Sequence, residues 1–129
     1  MILHLYKDKS KTPHTTFDEY QDWSCSLVHF IARFDRLTES GIYYISTDLI
    51  RREENQQRIL FHIHLTQGTN HFTFTPTQKM KYKLRLHDVS SAVFNFYRLD
   101  QRPIILSDFT ATFDIGNDRF QSVIAESAC

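Results

Sequence analysis

Three histidines stand where two neighbouring strands could bring them together. His62 and His64 lie two residues apart in the stretch RILFHIHLTQGTNHFTFT (Arg58 to Thr75), and His71 follows after a glycine. Residues two apart in a strand share a face, so the imidazoles of His62 and His64 leave the same side. If Gly68 opens a two-residue hairpin turn, Gln67 pairs with Asn70, and His71 lies diagonal to His64 at roughly 7–8 Å. Three imidazoles on adjacent strands can hold zinc and keep a fourth position for an activated water. His62, His64 and His71 are therefore the candidate metal ligands and zinc the candidate cofactor. The chemistry would be that of a metal-binding β-barrel enzyme or small-ligand binder. Thr66, Thr73 and Thr75 share that face, and Thr/His alternation equally suits a strand turned to solvent.

A second constellation is cationic. Lys79, Lys81, Lys83 and Arg85 alternate with Met80, Tyr82, Leu84 and Leu86. In a strand the four charges form one face that can follow the phosphates of a nucleic acid or an anionic lipid surface. Lys7, Lys9 and Lys11 could extend it. Tyr82 points the other way, so no aromatic platform for stacking bases accompanies the charges. Lysine on an edge strand also guards against edge-to-edge pairing. The 15 basic and 15 acidic residues cancel, so no overall charge argues for a polyanionic partner.

Nucleophiles are scarce. Cys25 precedes His29 by four residues, one turn if the segment is helical, which would set thiol beside imidazole. A buried, inert thiol is the plainer reading. The chain has no G-x-S-x-G, no C-x-x-C and no glycine-rich phosphate loop, and the balance of these features points away from an enzyme.

The His62-x-His64 pair resembles the beginning of a cupin metal motif, which implies a metal-binding barrel. The glutamate which that motif places a few residues later is missing from Leu65 to Thr69 (LTQGT), and the fourth ligand with it. The run HFTFTPTQKMKYKLRLHD (His71 to Asp88) resembles the strand rhythm of β-sandwich modules, including the lumenal GOLD-type domains of vesicle-cargo receptors. That likeness implies a sandwich fold and carries no function.

The elements that must position these groups are mostly strands. Ile59, Phe61, Ile63 and Leu65 share one parity, and Phe72 and Phe74 continue it after the turn; a one-residue slip would set apolar against polar along the ladder. Ile2–Tyr6, Ile42–Ile50, Lys79–Leu86, Ser90–Leu99 and Ile104–Ile115 also read as strands, the last with a change of phase at Ser107-Asp108 that suggests a bulge. Phe120–Ile124 reads as a closing strand or frayed helix. Thr16 and Glu19 have capping-box spacing. Tyr20, Trp23, Leu27, Phe30, Ile31 and Phe34 follow at helical intervals, which predicts a short helix near residues 16–24. Residues 25–36 fit either a continuation of that helix or a strand with Val28, Phe30, Ala32 and Phe34 on one side.

The fold expected is mainly β: an antiparallel β-sandwich or small barrel with one short N-terminal helix. The alternative is an α+β roll, one helix packed on a curved antiparallel sheet. At 129 residues with 41% apolar and 23% charged side chains, the chain fits a single globular domain spanning residues 1–129. Cys25 and Cys129 make no disulfide framework, and no apolar run has the length of a leader or a membrane span. A cytoplasmic or otherwise intracellular setting is the expectation. Eleven Phe and six Tyr exceed what one small core readily hides, which predicts an exposed aromatic patch and a protein partner or self-assembly. The leading functional reading is a non-enzymatic interaction or assembly subunit that binds through an exposed sheet face or edge.

Overall fold

Alternating bulky and polar residues form strands, and the strands stack into two layers. The computed structural model describes residues 1–12, 16, 23–51, 59–86, 88–99 and 103–117. In chain order the strands are β1 (Ile2–Tyr6), β2 (Trp23–Phe34), β3 (Gly41–Thr47), β4 (Ile59–Leu65), β5 (His71–Phe74), β6 (Tyr82–Lys83), β7 (Phe94–Tyr97) and β8 (Leu106–Asn117). One sheet runs β1-β8-β2-β5, with β6 also on β2, and the other runs β4-β3-β7. Every pairing between them is antiparallel. The mainly β, antiparallel expectation holds. The barrel does not, because the two sheets share no strand among the described residues.

Phe30 organises the core. It is fully buried and its ring meets Phe72 and Phe109 of its own sheet and Phe61 and Phe94 of the opposite one. Each such ring contributes about 2–3 kcal/mol through removal of apolar surface from water. Ile42 lies on the outer face of β3 and is 49% exposed, because Tyr43 and Ile45 take the inward positions of that strand.

The hairpin expected between residues 59 and 75 is not formed. β4 pairs with β3, with His62 opposite Tyr44, and β5 pairs with β2, with Phe72 opposite Ala32. Gly68 does adopt positive φ, 89°, but the turn carries the chain from one layer to the other. Residues flanking the turn bond to the end of β2: the Phe34 amide donates to Asn70 O, the Leu37 amide to Thr69 O, and the Gly68 amide to Leu37 O. These bonds satisfy the backbone groups that a hairpin ladder would have used. Phe61, Leu65 and Phe72 are buried as the alternation expects, across the core from one another instead of side by side, and Leu60 of the other parity is buried as well.

The expected N-terminal helix is not borne out. No α-helix occurs among the described residues; Thr16 makes an isolated bridge to Asp88, and residues 17–22 of the expected helix lie outside the described set. The roll alternative falls with it. From Trp23 onward the chain is strand, and its helix-like spacing has a specific cause. Leu27 pairs with Phe113 and His29 with Thr112, leaving Val28 as an extra residue. This bulge switches the buried parity from Cys25 and Leu27 to Phe30, Ala32 and Phe34. Two odd positions followed by three even ones imitate a three-to-four residue repeat.

The bulge expected near Ser107 is present: Arg33 pairs with Asp108 and Phe34 with Leu106. The expected strand over Lys79–Leu86 narrows to β6, with an isolated bridge between Ile50 and Leu84. The one expected over Ser90–Leu99 begins instead as a 3₁₀ turn, Val89–Ser91, capped by Asp88, whose carboxylate accepts from the Ser90 amide. The expected closing element at Phe120–Ile124 lies outside the described residues. Among the described residues no helix is long and apolar enough to cross a membrane.

Candidate functional site

The edge of β2 away from β8 is covered in two pieces. β5 covers Phe30 to Arg33, and β6 covers Ser24 and Cys25. Between them the chain leaves β2 at Pro76, which has no amide proton to give to a ladder. Ser26 to His29, including the bulged Val28, therefore have no strand partner on that side among the described residues. The bowed segment opens a cleft on either side of the sheet.

The inner cleft, about 420 Å³, lies between this segment and β4. Leu27, Leu60, Phe61, Phe74, Met80 and Tyr82 make it apolar, with His62 on its lining. The Tyr82 hydroxyl donates to Leu60 O at 3.3 Å and holds β6 against β4. Among the described residues β4 is an end strand, and it has no proline, glycine, lysine or arginine. Its outer face continues a row of rings: Tyr97 stacks on Tyr44 at 5.8 Å, and the His62 ring lies 6.1 Å from Tyr44. Ile42, opposite His64, adds exposed apolar surface beside that row.

The outer cleft, about 260 Å³, is lined by Ser24, Ser26, Lys79, Lys81, Asp114 and Gly116. Ser24 pairs with Gly116 and Ser26 with Asp114. Both serines are 3% exposed. The Asp114 carboxylate is 3.3 Å from the Lys79 ammonium and 3.3 Å from the Met1 amine. Hydrogen bonding from that amine, reinforced by Lys79, holds the Asp114 carboxyl below the usual carboxylate range.

The structure divides the candidate metal ligands between the layers. His62 and His64 are exposed on β4, whereas His71 is on β5 of the other sheet, its Nδ1 2.8 Å from the Asn70 side-chain oxygen. The diagonal approach of His71 to His64 required the hairpin. Among the described residues no group of three His, Cys, Asp or Glu side chains could hold a metal ion. The cationic set also divides. Lys79 and Lys81 meet at the outer cleft and Lys83 pairs with Ser24 beside it. Arg85 leaves the group: its amide donates to Leu49 O and its guanidinium to Asp48 O.

Cys25 and His29 lie on opposite faces because the bulge intervenes. Burial pushes the Cys25 thiol up to about 12, which suppresses the nucleophilic thiolate. His29 instead joins a polar row across the outer face of the larger sheet. The Thr112 hydroxyl, 1% exposed, is 2.8 Å from His4 Nδ1 and 3.0 Å from His29 Nε2. Neither this row nor the two serines was marked by spacing. Hydroxyls and imidazoles alternating along β1, β2 and β8 look like any solvent-facing strand until the strands are ordered.

No protein-family model matches the chain, and no curated protein or solved structure matches it either.

Proposed function

We propose that this domain is a non-enzymatic interaction module, docking an extended, uncharged segment of a protein partner along the open edge of β4. The observation that supports it is the end strand itself. The other sheet ends are short, broken by Pro76, bordered by lysines or bridged by Ile104, the usual guards against pairing. β4 runs seven residues with none of them. An added strand would find the outward backbone groups of β4, the apolar cleft for one of its side chains, and the Tyr97–Tyr44–His62 row for the next. An intracellular setting belongs to the same proposal and rests on Cys25 being a buried, free thiol.

The test is capture from the native source with the whole chain as bait, followed by identification and counting of bound proteins. Wild type is expected to retain one stoichiometric partner. His62→Lys and His64→Lys, which place guarding charges on the edge strand, are expected to release it while circular dichroism stays unchanged. Retention of the partner by the doubly substituted chain would end the edge-docking reading.

A further inference from the structure

We propose that the segment docked on β4 is β4 of a second copy, so that the chain forms a two-fold dimer through this edge; the inference rests on the edge-docking reading of β4. Charge singles out this occupant. β4 (ILFHIHL), β3 (GIYYIST) and β7 (FNFY) contain no Lys, Arg, Asp or Glu, whereas the strands of the larger sheet carry Arg33, Lys83, Asp108 and Asp114. A two-fold contact sets the same surface patch against itself, so it needs a patch whose charges do not repel their own copies. The smaller sheet is such a patch. β4 also has every property it asks of an added strand: it is extended, uncharged and free of proline. Among the described residues its backbone is bonded only to β3 and, at Leu60 O, to the Tyr82 hydroxyl.

The register follows from an extra residue in β4. Ile45 pairs with Phe61 and Ser46 with Ile59, which leaves Leu60 over and makes residues 61–65 the regular part of the strand. Ile63 is its centre. An antiparallel two-fold there sets Ile63 against Ile63 of the copy, Phe61 against Leu65, and His62 against His64. Facing residues of such a pair share a side of the sheet, so apolar side chains meet on the inner face and imidazoles on the outer. Tyr44 lies opposite His62 and Ile42 opposite His64. The outer face therefore runs from Tyr44 and His62 across the axis to His64 and Ile42 of the copy. Ile42, 49% exposed in the single chain, joins a continuous sheet with three strands from each chain. The contact also closes at two: both unguarded β4 edges are used at once, and neither is left to propagate. Pairing through one short strand buries little area, which places the dimer among weak associations with dissociation in the micromolar range.

Sedimentation equilibrium of the purified whole chain tests the pairing with no other protein present, and a monomer–dimer equilibrium in the micromolar range is expected. In dimers mixed from isotope-labelled and unlabelled chains, methyl contacts should join Ile63 of one chain to Ile63 of the other. Amides of β4 should exchange more slowly as concentration rises, while those of β1, an end strand of the other sheet, stay unchanged. His62→Lys together with His64→Lys sets like charges opposite one another across the axis and should raise the dissociation constant about tenfold. Ile31→Lys, at an exposed position of β2 in the larger sheet, should leave it unaltered. A chain that stays monomeric, a dimer without added protection of β4, or equal weakening by Ile31→Lys and the double substitution would overturn the proposal. Capture from the native source separates this inference from the reading beneath it. A monomer that retains a different protein, and loses it on the double substitution, overturns the second copy and leaves edge docking standing. A monomer whose capture survives the double substitution ends both.

Discussion

Phe61 and Phe74 lie ring over ring, centroids 4.0 Å apart and planes 2° from parallel, although their strands belong to opposite sheets. The contact joins the two layers at the wall of the inner cleft, where Phe30 and Phe72 close the cluster behind Phe61.

Truncating Phe61, which is 7% exposed, to Ala is expected to cost about 3–5 kcal/mol, and Phe74→Ala, at a half-buried position, less. A double-mutant cycle on the pair should return a coupling of about 1 kcal/mol beyond additivity. A hairpin would set Ile63, not Phe61, against Phe74, so the Ile63/Phe74 cycle supplies the control and should give the smaller coupling. Urea denaturation of the four chains in each cycle measures both.

That stacking also shows where reading the sequence succeeds and where it stops. Alternation identified Phe61, Leu65 and Phe72 as buried but missed Leu60, 5% exposed on the other parity; Gly68 has the positive φ expected of it, at the second central position of a Thr66–Thr69 turn and not at the first position of a hairpin turn. Whether two such strands lie side by side or face to face is decided by bonds to Leu37 and Phe34, more than thirty residues from β5 in sequence. A local pattern carries no trace of them. The helix expected near Trp23 failed for a different reason: one extra residue at Val28 turned a period of two into an apparent period near 3.6. At the site, Lys79 and Lys81 were visible because charge alternates with apolar residues there. Ser24 and Ser26 were not, because only the ordering of β2 between β6 and β8 puts them under those lysines.

Thr112 has one hydroxyl proton and two imidazole neighbours, His4 and His29. With the hydroxyl donating to one ring and accepting from the other, the two tautomers are tied together. Thr112→Val is expected to lose about 1–3 kcal/mol, two ordinary hydrogen bonds' worth, and Thr112→Ser to recover most of it. Nitrogen-15 spectra of the rings should show opposite protonation at His4 Nδ1 and His29 Nε2 in wild type, a correlation that Thr112→Val abolishes.

Cys25 predicts an alkaline weakness. Its folded thiol is pushed up from an ordinary 9.0 to about 12 by burial, so the folded state holds the proton more tightly than the unfolded chain does. Stability from this group is complete below about 9.0 and falls as pH rises from there toward 12. Tyr82, also raised by burial and then by Cys25, acts in the same direction. Denaturation midpoints across that range should fall less steeply in Cys25→Ala than in wild type. At neutral pH, iodoacetamide should label Cys25 only as fast as the strand opens, slowing in proportion to any stabilisation of the fold.

The bulge at Val28 carries the sharpest prediction, because it sets two halves of β2 in phase with one core. Deleting Val28 makes the pairing continuous with β8, and one half must then turn over. Either Cys25 and Leu27 leave the interior or Phe30, Ala32 and Phe34 do. Exposing the Phe30 set removes the ring on which Phe61, Phe72, Phe94 and Phe109 converge, a loss comparable to the whole stability of a domain this size, about 5–15 kcal/mol. Exposing the Cys25 half sacrifices less core but turns Ser24 and Ser26 inward, burying two hydroxyls in apolar surroundings and dismantling the outer cleft. The deletion is therefore expected to abolish dispersed amide signals, or to preserve them with Cys25 exposed and labelled by iodoacetamide as fast as an ordinary free thiol. Val28→Thr keeps the extra residue at a position 37% exposed and should change stability by no more than about 0.5 kcal/mol. A well-dispersed spectrum from the deletion variant together with a Cys25 as slow to label as in wild type would show that the bulge does not set the phase of β2.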